Sequence, residues 1–239
     1  MKKKIKEDFF KEYINVKDMK PNGNGLFSFV RDDAVMEEDK YISDLYLFDM
    51  EKKEIKKQLT FDKTVGMHEW LDSENIIIAS AIDKSDKEAQ EKGVPLVVFC
   101  KLNVNTGEYK ELFKIYKGIY KFCCIDEERF LFLASESPVR DSWLEEAEGD
   151  WDKYIEISER ESRYFVADEV PFWSNDGGYC NKERGRVYYY ENGELSCLTD
   201  DDISVFDISS YKDEYGLFYG VESGGIQRTE GKVLSLIHI

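Results

Sequence analysis

A repeat with a spacing of 54 residues is the feature that most constrains the fold of this chain. Glu54 and Glu108 end two similar polar turns and are 54 residues apart, and Asp72 and Asp126 begin a different pair of turns with the same spacing. Two independent kinds of turn therefore share one period, which is typical of proteins built from repeated supersecondary units.

The first kind of turn precedes a strongly apolar run. Turn residues between β-branched or aromatic runs predict antiparallel hairpins. Four copies occur: Pro21–Asn24 before Leu26–Phe29, Asp72–Glu74 before Asn75–Ile78, Asp126–Glu128 before Phe130–Leu133, and Lys212–Glu214 before Gly216–Tyr219.

The second kind of turn leads from an apolar run into a more polar strand. Its Asn192-Gly193 copy is a strong hairpin signal, because both residues tolerate positive φ. The four copies are Met50–Glu54, Val104–Glu108, Glu191–Glu194 and Glu230–Lys232. Each unit thus contains two hairpins, or four antiparallel strands, as a β-propeller blade does.

The third unit is longer than the others. The spacing rises to 87 residues between Asp126 and Asp213 and to 86 between Glu108 and Glu194. One insertion of about thirty residues explains both values. We therefore predict an all-β fold, a partial β-propeller with blades over residues 19–60, 61–115, 116–200 and 201–239, the last truncated, and a partly helical insertion over about 135–183.

A short amphipathic helix is predicted over residues 1–18, where Ile5, Phe9, Tyr13 and Val16 recur at near-helical spacing. We expect this helix to pack on the rim of the propeller.

The net charge of −17 argues against several classes of partner. An excess of carboxylates repels phosphate groups, so we expect no nucleic acid and no membrane surface as a partner. The basic start, Met1–Lys4, leads into acidic and polar residues rather than the apolar run of a secretory signal, so we expect a cytoplasmic protein.

The cysteine pattern suits neither a disulfide framework nor a zinc site. The five cysteines are an odd number and lack C-x-x-C spacing. We predict reduced thiols buried on strands, no metal and no other cofactor.

Two stretches carry a resemblance to a known family. Residues 7–29, with the Pro21-Asn22-Gly23 turn, resemble the start of prolyl-oligopeptidase-family serine peptidases, although Lys20 and Asn22 stand where that pattern has Ser and Asp. Residues 168–179, followed by Arg184–Tyr188, resemble an insert of the acylaminoacyl-peptidase-like branch.

The resemblance implies the N-terminal part of a seven-bladed propeller that caps an α/β-hydrolase domain and admits only peptides. It also implies that a Ser-Asp-His triad, with Ser on a G-x-S-x-G elbow, would lie in that second domain. This chain alone would then be non-catalytic, whereas the full-length parent would be a serine peptidase that acts on short peptides and can form a homo-oligomer.

No catalytic site is predicted within the chain. Ser223 lacks the elbow spacing, because Gly224 follows it directly and Val221 stands where the preceding glycine belongs. We expect Ser223 on a loop, His68 in the core or at the rim, and His238 in a frayed tail.

Glu145 and Glu146, in an acidic stretch between tryptophans, are the candidate substrate-binding residues. A similar glutamate pair in the dipeptidyl-peptidase relatives binds the peptide amino group, and this pair could do so through charge-assisted hydrogen bonds. The alternative is a solvated acidic helix. Two other functions stay open: a free-standing propeller that binds proteins or ligands, and a propeller glycosidase with paired carboxylates.

Overall fold

In the residues that it describes, a computed structural model of the chain shows four antiparallel sheets of three or four strands, which follow one another along the sequence, and one two-stranded sheet. It describes residues 14–35, 40–61, 65–80, 83–164, 173–174, 178–179, 182–200, 203–212, 217–225 and 233–238. The chain divides into two compact units, Met1–Ile82 with Val98–Lys114 and Asp83–Val97 with Ile115–Ile239.

The first unit holds two four-stranded sheets, each a simple meander in which neighbours along the chain are neighbours in the sheet. Sheet 1 consists of β1 (Asn15–Pro21), β2 (Leu26–Val35), β3 (Lys40–Asp49) and β4 (Glu54–Gln58). Sheet 2 consists of β5 (Met67–Trp70), β6 (Asn75–Ala79), β7 (Val97–Asn103) and β8 (Tyr109–Ile115). A short helix that the sequence did not predict, α1 (Lys84–Glu91), comes between β6 and β7 in the chain but belongs to the second unit.

The second unit holds the interrupted third sheet and the strands that follow it. Sheet 3 consists of β9 (Ile119–Cys124), β10 (Arg129–Glu136), β13 (Arg184–Glu191) and β14 (Glu194–Cys197). Between β10 and β13 lie α2 (Pro138–Ala147), α3 (Trp151–Glu161) and the paired β11 (Trp173–Ser174) and β12 (Gly178–Tyr179). Sheet 4 consists of β15 (Ile203–Lys212), β16 (Leu217–Gly225) and β17 (Val233–His238).

The structure confirms a mostly β, antiparallel fold with few helices, and the insertion of the third unit contains helices as expected. Three of the sheets have four strands, and three strands of sheet 4 are described. The number of blades and the size of a ring stay predictions.

Aspartate and asparagine side chains explain why the turns recur. Asp72 Oδ1 accepts hydrogen bonds from the backbone N–H groups of Glu74 and Asn75, at 2.7 and 2.8 Å. Asp126 binds the two equivalent N–H groups of its own turn, and Asn22, Asp49 and Asn103 each cap a turn in the same way. Such side chains stabilise tight turns locally, which confirms the hairpins predicted near residues 22, 73 and 127. The turn predicted near 213 lies outside the described residues, but Lys212 and Leu217 on either side of it are paired.

The second unit has its own apolar core, which joins sheets 3 and 4. Leu131, Leu133 and Val187 of sheet 3 pack with Val205 and Ile208 of β15. The backbones also approach closely, since a Cβ added to Gly185 would lie only 2.0 Å from the carbonyl oxygen of Val205. Glycine is therefore required at position 185 by the packing of these two sheets.

The structure corrects several expectations. Residues Asn15–Pro21 form strand β1, so the predicted N-terminal helix cannot continue to residue 18, and Val16 belongs to a strand. The remainder of that helix, residues 1–13, lies outside the described residues. Backbone pairing with sheet 1 outweighs the helical spacing of Val16, since spacing alone carries no information about strand partners.

The burial of the thiols and the positions of Ser223 and His238, two residues that we do not predict to be catalytic, also differ in part from expectation. Cys100 and Cys123 are buried, but Cys197 is exposed. Ser223 lies within β16, paired with Val205 and Val233, rather than on a loop, and His238 is paired with Phe218 rather than frayed.

Candidate functional site

The predicted pair, Glu145 and Glu146, lies at the end of α2 with both side chains exposed. The helix begins at an N-cap, where Ser137 Oγ accepts a hydrogen bond from Arg140 N–H, and it ends at Glu148, whose φ is +53°. Glu146 Oε1 is 3.7 Å from an Arg160 Nη atom, and both side chains are more than half exposed. Ion pairs this exposed contribute little to stability, so both carboxylates stay available to solvent and ligands.

A different group of charged residues lies at the end of β10, where the chain continues from sheet 3 into α2. Glu136 Oε2 accepts a hydrogen bond from the Tyr188 hydroxyl at 3.0 Å, and it lies 3.4 Å from Nε of Arg186. Arg186 is 2% exposed, and an Nη atom donates to the carbonyl oxygen of Thr199 at 3.4 Å. Burial, and then the hydrogen bond and charge of Glu136, raise the pKa of Tyr188 far above its usual value, so Tyr188 acts only as a neutral donor.

A second carboxylate, that of Glu183, accepts hydrogen bonds on the other face of the same sheet. Ser135 precedes Glu136 on β10, and consecutive strand residues point to opposite faces. The Ser135 hydroxyl donates to Glu183 at 2.7 Å, an Arg140 Nη atom donates to it at 2.9 Å, and the Tyr120 hydroxyl donates at 3.3 Å. Each of the two carboxylates thus has its own guanidinium group, an arrangement that neutralises charge rather than one that keeps a free acid and a free base.

These contacts also attach the inserted helices to the third sheet. Lys117 pairs with Asp141 of α2 at 2.9 Å, and its ammonium lies 5.2 Å from the centre of the Tyr188 ring. The Tyr116 ring stacks on Trp151 of α3 with a centroid distance of 4.9 Å. Helix α2, which carries Glu145 and Glu146, is therefore held in place by an ionic contact, and the neighbouring α3 is held by an aromatic contact.

A buried serine and a buried histidine lie in line with a partly exposed aspartate between sheets 1 and 2. Ser28 Oγ is 2.8 Å from His68 Nε2, and His68 Nδ1 is 3.0 Å from Oδ2 of Asp18. This order matches the nucleophile, base and orienting carboxylate of a hydrolase. However, Ser28 and His68 are both 0% exposed, so no substrate carbonyl can reach the hydroxyl.

Charged neighbours surround the aspartate of this group. Lys20 Nζ is 3.4 Å from Asp18 and 2.5 Å from Glu69, and it also donates to the carbonyl oxygen of His68. Burial alone would raise the pKa of Asp18, but the hydrogen bonds and charges of His68 and Lys20 outweigh it and hold that pKa below its usual value. His68, which was predicted in the core or at the rim, lies in the core, whereas its two partners were not predicted.

An apolar groove follows the other face of sheet 1. A cavity of about 480 Å³ is lined by Ile14, Val16, Met19, Phe27, Phe29, Arg31, Phe48, Met50 and Ile55. Five of these side chains are about half exposed, from Val16 at 47% to Met19 at 63%. Among the described residues, one face of sheet 1 thus packs against sheet 2, and the other face carries this half-exposed apolar groove.

None of the helices in the part of the chain with described coordinates has the length and hydropathy needed to cross a membrane. No protein-family signature matches the sequence, and no curated protein matches it.

Solved structures do match. Pyrococcus horikoshii acylaminoacyl peptidase aligns over 97% of this chain with a TM-score of 0.57 and 15% identity. Acylaminoacyl peptidase in complex with Z-Gly-Gly-Phe-chloromethyl ketone aligns over 98% with a TM-score of 0.58 and 14% identity. This chain has the fold of one part of acylaminoacyl peptidase.

The similarity is one of fold, and it covers only part of the acylaminoacyl peptidase chain. The chain spans about a third of the length of both acylaminoacyl peptidase structures, at 34% coverage. The β-propeller domain of the Trilobed protease from Pyrococcus furiosus also aligns, but a TM-score of 0.45 does not establish a shared fold.

Proposed function

We propose that this chain is part of the β-propeller of a serine peptidase of the prolyl-oligopeptidase family, and that this propeller restricts access of peptides to a separate catalytic domain. The observation that carries the proposal is the alignment of nearly the whole chain with a third of acylaminoacyl peptidase. The residues that resemble the acylaminoacyl-peptidase-like branch support it independently.

In this proposal, sheets 1 to 4 are consecutive blades of a ring with more than four blades. A propeller blade is packed on both faces, and the half-exposed side chains of the groove are what a blade would show where its neighbour is missing. The remaining blades and the hydrolase domain would come from further sequence.

The chain itself takes no catalytic part in this proposal. The sealed Ser28 has no access for substrate, and Ser223 lies within a strand rather than on a strand-to-helix elbow. Peptides would reach Glu145 and Glu146 on the inserted helices, whose exposed carboxylates suit the free amino group of a substrate.

Kinetics of the longer gene product test the proposal. We expect the 239-residue chain to be inactive on acyl-peptide and aminoacyl substrates, and the longer product to cleave short peptides but not folded proteins. In that product, Glu145→Gln with Glu146→Gln should raise KM for peptides with a free amino terminus and leave acylated peptides unchanged. Glu156→Gln with Glu159→Gln on α3 provides the matched control. Activity of the isolated chain, or inactivity of the longer product, would overturn the proposal.

A further inference from the structure

The seam between sheets 1 and 2 is crossed by a continuous polar network. Besides the Ser28, His68 and Asp18 contacts, the Trp70 indole N–H donates to the carbonyl oxygen of Lys20 at 3.1 Å. Lys20 Nζ in turn binds the carbonyl oxygen of His68 and the carboxylate of Glu69. Residues 68–70 of β5 are thereby attached to strands β1 and β2 of the neighbouring sheet.

Both ring nitrogens of His68 face oxygen atoms of this network, since Nε2 lies 2.8 Å from Ser28 Oγ and Nδ1 lies 3.0 Å from Oδ2 of Asp18. If the Ser28 hydroxyl donates to Nε2, then Nδ1–H faces Asp18. If Nε2 carries a proton, it donates to Ser28 Oγ, and that hydroxyl can donate to the carbonyl oxygen of Lys20 at 3.3 Å. Polar contacts between buried groups are strong in the low dielectric of a protein interior, and they favour one arrangement of the elements that carry them.

A bulge in β1 makes these contacts possible. Lys17 is paired with Val30, but Lys20 is paired with Ser28, so one extra residue lies in β1 between them. If the same residues of β1 paired regularly with β2, without a bulge, strand alternation would place Met19 on the seam and Lys20 on the groove. The bulge instead gives the seam Lys20 and the groove Met19, which lines it.

The bulge has a conformational cost. Asp18 has a φ of +52°, in the left-handed region that non-glycine residues seldom occupy. Such conformations persist only where the surroundings determine them, and they mark sites with a specific role. Here the surroundings are the contacts of Asp18 with His68 and Lys20.

We propose that Asp18, His68 and Ser28, with Lys20, form a clamp that locks the first strand of sheet 1 to the first strand of sheet 2. The clamp stands on this geometry alone. If the proposed gating function also holds, this seam stays closed, and peptides pass elsewhere.

Local hydrogen exchange measures the clamp directly. Asp18→Asn removes the charge and retains a residue type that tolerates positive φ, and Ser28→Ala removes the hydroxyl with little change in volume. Exchange followed by mass spectrometry on the full 239-residue chain, at micromolar concentration, should become roughly tenfold faster or more in peptides covering β1 and β5. Asp126→Asn, in a turn of sheet 3, is the matched control and should leave β1 and β5 unchanged.

The double variant tests whether the residues act as a unit. Asp18→Asn with Ser28→Ala should accelerate exchange at β1 and β5 by less than the product of the two single effects, because either change alone already breaks the network. Acceleration spread uniformly over both units, or no selective change at β1 and β5, would overturn the clamp. Because the readout is structural, this result is independent of whether the longer gene product is a peptidase.

Discussion

The open groove on sheet 1 predicts that the isolated chain associates despite its charge of −17. Ile14, Val16, Met19, Met50 and Ile55 are between 47% and 63% exposed. Complete burial of one such side chain contributes roughly 1.5–3 kcal/mol, so covering the exposed half of each contributes about 1 kcal/mol, and all five about 5 kcal/mol. That free energy is available to any apolar surface that covers the groove.

Two substitutions at exposed positions of the groove should remove much of this drive. Met19→Lys with Ile55→Lys loses about 2 kcal/mol of apolar burial and places two charges in the contact, which weakens association by roughly 30-fold or more. Because both side chains already contact solvent, we expect little loss of folding stability. Sedimentation velocity across the micromolar range measures the change.

A matched control separates the groove from general surface hydrophobicity. Tyr41 and Phe61 belong to the same unit, are 62% and 65% exposed, and do not line the groove. Tyr41→Lys with Phe61→Lys should leave association almost unchanged. If the unmodified chain is a stable monomer, or if the control pair has the same effect as the groove pair, the reasoning is wrong.

Three further predictions follow from the described contacts. Glu136→Gln removes the carboxylate that faces the buried Arg186 guanidinium, and because Glu136 is 29% exposed, the free energy of unfolding should fall by only about 2 kcal/mol, or Tm by roughly 4–8 °C. Thermal unfolding should show a smaller fall for Glu183→Gln, whose partner Arg140 is 43% exposed. Equal falls in Tm for the two variants would contradict this prediction. The pKa values of Asp18 and Asp126 are lowered in the folded state, so the stability that these residues contribute is complete above the unfolded pKa of about 3.9 and is lost as the pH falls through their folded pKa values. The urea concentration at the unfolding midpoint should therefore decrease when the pH is lowered below about 4. A midpoint that does not change over this pH range would refute the prediction. The purified chain should not hydrolyse acyl-peptide or aminoacyl substrates, and activity abolished by Ser223→Ala or Ser28→Ala would show otherwise.

The hairpins could be predicted from the sequence because their determinants are local. In each turn, an Asp or Asn side chain binds backbone N–H groups two and three or four residues further along, so the signal is contained in a few consecutive residues. The position of the insertion followed from the same signal, since only the spacing between turns had to be counted.

The clamp and the groove could not be predicted because both depend on the bulge in β1. A single extra residue reverses which side chains face the seam, and nothing in residues 15–21 alone marks its position. Ser28 and His68 are 40 residues apart in sequence, and their contact depends on how two whole sheets pack. Likewise, Glu136 and Arg186 meet only because the long insertion returns the chain to the same sheet.

The reading frame downstream of Ile239 tests most directly whether this chain belongs to a gating propeller. We predict further units at about the same 54-residue spacing, followed by a hydrolase domain with a G-x-S-x-G elbow and, after it, Asp and His. A frame that ends without further repeats, or that continues into a domain without the elbow, would contradict the proposed function.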